Sequence, residues 1–101
     1  MHAKLLLLPE QLTVQIDDRQ FALTREQFLI LTTLATEPGR VFQRSELVEP
    51  GIGALAKEDS VDKNIQALRR KLGPHRPLIE TVRSIGYRFR KRTPGEMAQE
   101  S

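Results

Sequence analysis

The sequence predicts one α+β domain in which short strands come first, helices fill the middle and a β-hairpin closes the chain. Three observations carry this expectation. Residues 4–23 break into short apolar runs at strand spacing, residues 24–73 hold helix-period patterns with start and stop chemistry, and residues 78–90 alternate again around a turn. With 101 residues there is room for one core and none for a second domain. Hydrophobic content of 39% and charged content of 29% fit a soluble globular chain rather than a disordered one. The folded domain is expected over residues 1–92, with a polar, disordered tail over 93–101.

The opening run KLLLL is bounded by Pro9, LTVQI alternates over residues 12–16, Asp17-Asp18 supplies turn chemistry, and QFAL adds a further short strand. A small antiparallel meander follows, with Leu5 to Leu8 as a buried strand. That run is far too short to span a bilayer, and nothing before it resembles a signal peptide, so a cytosolic chain is expected.

Thr24 with Gln27 three residues on reads as a capping box opening a helix to about Thr36, whose buried face is Phe28, Leu31, Leu34 and Ala35. Glu37-Pro38-Gly39 ends it, because Pro38 disfavours helical geometry at Glu37 and Gly39 permits a turn. Arg40-Val41-Phe42 is an extended link that tucks Phe42 inside. Ser45 can cap a short second helix over residues 45–48, although Arg44 is an alternative start. Residues 49–57 form a connecting loop with Ile52 and Leu55 half-buried.

The third helix is expected over residues 59–73, capped by Asp59 or Ser60 and stopped by Gly73-Pro74. Val61, Ile65, Leu68 and Leu72 fall at i, i+4, i+7 and i+11, one narrow apolar stripe. Lys63, Gln66, Ala67 and Arg70 lie opposite that stripe, with Asn64 and Lys71 on one flank and Asp62 and Arg69 on the other. A hairpin follows: a strand over 78–83, a Ser84-Ile85-Gly86 turn, and a return strand over 87–90 with Tyr87 and Phe89 inward and Arg88 and Arg90 outward.

The net charge of +3 is unevenly spread. Residues 59–92 hold ten Lys or Arg against three acids, so that segment carries +7 and the remainder −4. A basic helix next to a basic hairpin is an electrostatic footprint for a polyanion. With no cysteine, disulfides and thiolate metal sites are excluded, and His2 and His75 lack neighbouring carboxylate clusters, so no metal or cofactor is expected. No paired carboxylates, nucleophile with base or glycine-rich phosphate loop stands at workable spacing, which argues against an enzyme.

A helix, a short helix, a basic third helix and a β-hairpin make a winged helix-turn-helix. The chain resembles the OmpR/PhoB-type DNA-binding domain of bacterial two-component response regulators. The resemblance rests on Leu23-Thr24 with Glu26 and Phe28 to Leu31, Gly39-Arg40-Val41 with Arg44 to Leu47, Val61-Asp62 with Ile65 and Leu68 to Leu72, and Ile79 to Arg83 with Gly86 to Phe89. It implies sequence-specific binding of double-stranded DNA, with the third helix in the major groove and the wing on the minor groove or its phosphates. Residue by residue it implies Lys63, Asn64, Ala67 and Arg69 on the recognition helix and Thr81, Arg83 and Tyr87 on the wing. With Ala67 in place of a base reader, the burden shifts to Lys63, Asn64 and Arg70, and Arg44 and Ser45, at the start of the second helix, are expected to donate to a phosphate from a helix N-terminus.

Three positions and one loop depart from the family pattern. Asp59 stands where an Arg is common, Ala67 where members often carry a DNA-contacting Arg, and Ser84 at the usual wing glycine. The 49–57 loop lacks the aromatic-glycine pair through which the family's loop can reach an RNA polymerase subunit. No receiver domain precedes the motifs, which leaves an excised effector domain and a stand-alone regulator as alternatives, and predicts a monomer in solution that assembles on tandem sites. Two other readings compete: a winged helix serving as a protein-interaction module, which indifference to DNA competitor would select, and RNA binding through the hairpin, disfavoured by the five aromatics at mostly core-like positions.

Overall fold

The computed structural model describes residues 5–48 and 58–90. Strands β1 (Leu5–Leu8), β2 (Thr13–Ile16) and β3 (Arg19–Ala22) form an antiparallel sheet in that order. Central β2 sends Val14 and Ile16 fully into the core. The expectation of a buried β1 is corrected: Leu6 is 52% exposed and Leu5, Leu7 and Leu8 are half-buried. Side chains alternate across the strand and one face of the sheet packs on the core: Leu5 and Leu7 lie against it, and Leu6 points to the other face.

Thr24 and Gln27 close the expected capping box. Gln27 N–H donates to Thr24 Oγ1 at 3.2 Å, and Thr24 N–H donates to Gln27 Oε1 at 3.1 Å. Helix α1 (Arg25–Thr36) buries Phe28, Leu31 and Leu34 as expected, with Ala35 half-buried, but Ile30 and Gln27 are buried as well. The buried arc is wide because α1 packs against both the third helix and the last strand.

The link after α1 is more than extended chain. Phe42–Gln43 forms a strand, β4, which pairs with β6 (Gly86–Phe89) and makes a three-stranded sheet of order β4-β6-β5 with β5 (Ile79–Val82). Phe42 is buried, as expected. The backbone passes so closely here that a Cβ on Gly86 would lie 2.0 Å from the Phe42 carbonyl oxygen.

Helix α2 (Arg44–Val48) begins at Arg44, so Ser45 sits in its first turn and is not the cap. The chain enters this helix directly from β4. The Gln43 N–H is satisfied by Glu46 Oε1, 2.8 Å away, reaching back from the third helical position. Helix α3 (Glu58–Leu72) is already formed at Glu58, which moves Asp59 and Ser60 from the expected cap into the first turn. Such residues are tolerated at both places, so sequence spacing does not separate them. Val61, Ile65, Leu68 and Leu72 are all fully buried.

Gly73 adopts φ +58, the left-handed conformation that ends α3, and a tight 3-10 segment, Gly73–Leu78, leads to β5. The hairpin is one residue out from its expected bounds at each strand: β5 starts at Ile79 and stops at Val82, and Gly86 opens β6, so the turn is Arg83-Ser84-Ile85. Tyr87 and Phe89 point inward, paired with Thr81 and Ile79. The 49–57 loop with Ile52 and Leu55, and the 93–101 tail, lie outside the described residues. Among the described residues no helix is long and apolar enough to cross a membrane.

Candidate nucleic-acid interface

With the apolar stripe of α3 in the core, Lys63, Ala67 and Arg70 emerge on the far side at i, i+4 and i+7. Lys63, Gln66 and Arg70 are exposed and Ala67 is half-buried. Among the described residues neither Lys63 nor Arg70 has a hydrogen-bond or ion-pair partner. Both cations are therefore available to an external anion, with the small Ala67 side chain between them along the helix.

Asn64 sits on the flank, where its Nδ2 donates to the Ser60 carbonyl at 2.9 Å within the helix. On the same flank Lys71 Nζ donates to the buried Gln27 Oε1 at 3.3 Å, tying α3 to α1. One hydrogen of the Asn64 amide is thereby used, and one remains.

The other flank is turned toward the wing. Arg69 donates from Nε and Nη2 to the Ile79 carbonyl at 3.2 and 2.8 Å, and from Nη2 to Thr81 Oγ1 at 2.8 Å. Asp62, two turns earlier, accepts through the same Oδ1 from Tyr87 Oη at 2.5 Å and from Arg44 Nε at 2.7 Å. The Arg44 and Arg69 guanidinium groups lie 5.5 and 5.7 Å from the centroid of the Tyr87 ring, within cation–π range. The resemblance sets Arg69, Thr81 and Tyr87 toward DNA, and its place at the start of the second helix makes Arg44 an expected phosphate donor. The structure joins them into an internal network that holds α2, α3 and the wing together. Tyr87 itself is only 4% exposed.

Electrostatics at this network are mutual. Burial alone would raise the Asp62 pKa, but the hydrogen bonds from Tyr87 and Arg44 outweigh it and hold the carboxyl below the usual carboxylate range. The hydrogen bond to Asp62, followed by its charge, holds the Arg44 guanidinium above its ordinary value. Desolvation and the hydrogen bond to Asp62 push the Tyr87 phenol up.

At the perimeter, Ser45 is exposed in the first turn of α2 and Arg83 is exposed in the wing turn. The start of α2 and the wing turn face one another across an open depression lined by Gln43, Arg44, Ser45, Ser84 and Ile85. Arg40 is committed elsewhere: its Nη1 and Nη2 meet Glu37 and Glu46 at 2.7 and 2.8 Å, and its guanidinium lies 4.3 Å from the Phe42 ring centroid. Periodicity places Asp62 only on a flank of α3, whereas the structure makes it the shared acceptor at the centre of the network, and Gln66 stands exposed on the outer face beside Lys63 and Arg70. Among the described residues no cluster of His, Cys, Asp and Glu could hold a metal ion.

A helix-turn-helix whose third helix presents exposed cations, buttressed by a hairpin wing, defines the chain as a winged-helix domain. The chain matches the family model described as "Transcriptional regulatory protein, C terminal" over residues 18–89. It belongs to that family, the OmpR/PhoB-type DNA-binding domains of transcriptional regulators. It is 36% identical over 88 residues to the alkaline phosphatase synthesis transcriptional regulatory protein SphR of Synechococcus elongatus, covering 82% of this chain and 34% of that protein. It is also 36% identical over 70 residues to the phosphate regulon transcriptional regulatory protein PhoB of Escherichia coli, covering 65% of this chain and 31% of that one. The chain thus spans about a third of the length of these curated relatives. Among solved structures it resembles the DNA-binding domain of CpxR from E. coli, with 28% identity and a TM-score of 0.78 over 92% of this chain and 96% of that one. It likewise resembles the DNA-binding domain of the response regulator AdeR in complex with an intercistronic region, with 25% identity and a TM-score of 0.77 over 91% and 99%.

Proposed function

We propose that this domain binds double-stranded DNA sequence-specifically as the effector part of a bacterial transcription regulator working in the cytoplasm. The outer face of α3 enters the major groove, and the wing turn rests on the minor groove or its phosphates. The observation that carries this is the pair of exposed cations, Lys63 and Arg70, which have no partner among the described residues and stand on a helix face clear of the core, with exposed Arg83 on the adjacent wing. Arg70 and Gln66 can read base edges, Asn64 can reach adenine with its remaining amide hydrogen and carbonyl, and the Ala67 methyl suits a thymine methyl. Lys63, Ser45 and Arg83 supply phosphate contacts that set register without carrying sequence information.

Selection of bound duplexes from a random pool, followed by titration of the selected duplex across salt, tests this reading. Affinity should fall steeply with salt, as counterion release requires. Absence of binding at low salt overturns it and favours a protein-interaction module instead. The domain is expected to sediment as a monomer alone and as a tandem pair on a selected site that carries two repeats.

A further inference from the structure

The DNA reading assigns work to Lys63, Arg70 and Arg83 but leaves unexplained why a carboxylate, Asp62, sits on the recognition helix of a domain whose ligand is a polyanion. Near DNA a carboxylate is repulsive unless it is neutralised. Asp62 is neutralised from within, by Arg44 Nε of α2 at 2.7 Å and Tyr87 Oη of the wing at 2.5 Å, both on the single atom Oδ1. That atom is the point at which the three DNA-facing elements meet through side chains. The wing needs such a tie. It is a hairpin of two four-residue strands joined by the exposed turn Arg83-Ser84-Ile85, and β5 at its outer edge has only β6 as a strand neighbour.

We propose that Asp62 is a positioning residue for DNA recognition: by holding Tyr87 and Arg44 together it fixes the wing turn and the start of α2 relative to α3, so that Arg83 engages the backbone in register with Lys63 and Arg70. The inference rests on the DNA-binding reading. Tyr87 is placed one rung below the last pair of the hairpin, opposite Thr81, and Val82 pairs Gly86 just before the turn. Holding the Tyr87 ring therefore limits the swing of Arg83. Arg69 ties the base of the same hairpin through Ile79 and Thr81. Without Asp62 the wing keeps its backbone pairing to β4 and the Arg69 bracket at its base, but loses the tie from the Tyr87 hydroxyl to α3 and, through Arg44, to α2.

The test is a double-mutant cycle in the full chain on a selected duplex, combining Asp62→Ala with Arg83→Ala. Alanine at position 62 keeps α3, being the strongest helix former. Asp62→Ala is expected to weaken binding about tenfold, and Arg83→Ala, costing about tenfold in the parent chain, to cost less than about twofold in that background. The slope of log affinity against log salt should drop by about one in Asp62→Ala, although Asp62 carries no positive charge to lose, because the wing cation has left its phosphate. Tyr87→Phe, which keeps the packed ring and removes only the hydroxyl, must reproduce the reduced coupling and serves as the readout where Asp62→Ala unfolds. Equal cost of Arg83→Ala in all backgrounds, or binding by Asp62→Ala as tight as or tighter than the parent, overturns the proposal. A parent chain that binds no duplex overturns the DNA reading itself.

Discussion

Arg69 on α3 donates from Nη2 to Thr81 Oγ1 on β5 at 2.8 Å while the same nitrogen meets the Ile79 carbonyl at 2.8 Å. The guanidinium is a bracket between helix and wing, and its neighbour Arg70, 100° further around the helix, points to solvent. Arg69→Ala is therefore expected to lower stability by about 1.5–3 kcal/mol, the range for hydrogen bonds to a charged group. It should weaken binding to all duplexes alike. Arg69→Lys keeps the charge but not the planar fork and should restore little. Urea unfolding together with duplex selection separates this from Arg70→Ala, which should leave stability unchanged and relax preference at one base pair.

Ser84 takes φ 66 in the wing turn, a left-handed conformation that costs a non-glycine residue about 1–2 kcal/mol. Glycine removes that cost but gives back about 0.4–1 kcal/mol through the unfolded chain's greater freedom. Ser84→Gly should therefore stabilise the domain by about 0.5–1 kcal/mol net. Thermal melts of the two proteins check the sign; destabilisation would mean that the hydroxyl makes up for the strain.

Gly86 is held by a different constraint. Its φ is unremarkable, but a Cβ would stand 2.0 Å from the Phe42 carbonyl oxygen and 2.9 Å from its carbon, both of them backbone atoms that cannot rotate away. Gly86→Ala must push β4 from β6 and with it the start of α2. A loss of about 3 kcal/mol, at the upper end for overpacking, is expected by urea unfolding.

The parts of this molecule that were legible in its sequence are those whose cause is local. The Thr24–Gln27 box spans three residues, and the α3 stripe repeats over three turns, so both could be read directly. The β4–β6 pairing could not: a two-residue strand shows no alternation, and Gln43 meets Gly86 across most of the helical region. The candidate site divides the same way. A basic face on α3 followed from periodicity, but which cations are free did not, because Arg69 and Arg44 find their partners on other elements. Tyr87 shows both sides at once: alternation turned it inward, the family resemblance set it among DNA contacts, and its hydroxyl lies in the internal network on Asp62.

That network also sets the pH response. The Asp62 pKa is held below the ordinary carboxylate value, because the hydrogen bonds from Tyr87 and Arg44 outweigh the opposing effect of burial. A depressed folded value means that the unfolded chain binds the proton first as pH falls. The contribution is thus complete above the unfolded Asp value, near pH 4, and is lost as pH drops through the folded one. Tyr87 has the opposite sign. Desolvation and the hydrogen bond to Asp62 raise its pKa, so its share is complete below the unfolded value of about 10 and is lost as pH rises through the folded value. Urea unfolding from pH 3 to 11 should show that Asp62→Asn has a shallower acid limb than the parent. Tyr87→Phe should lack the part of the alkaline limb that belongs to the phenol. An acid limb unchanged by Asp62→Asn would show that the Asp62 network does not set the acid stability of the fold.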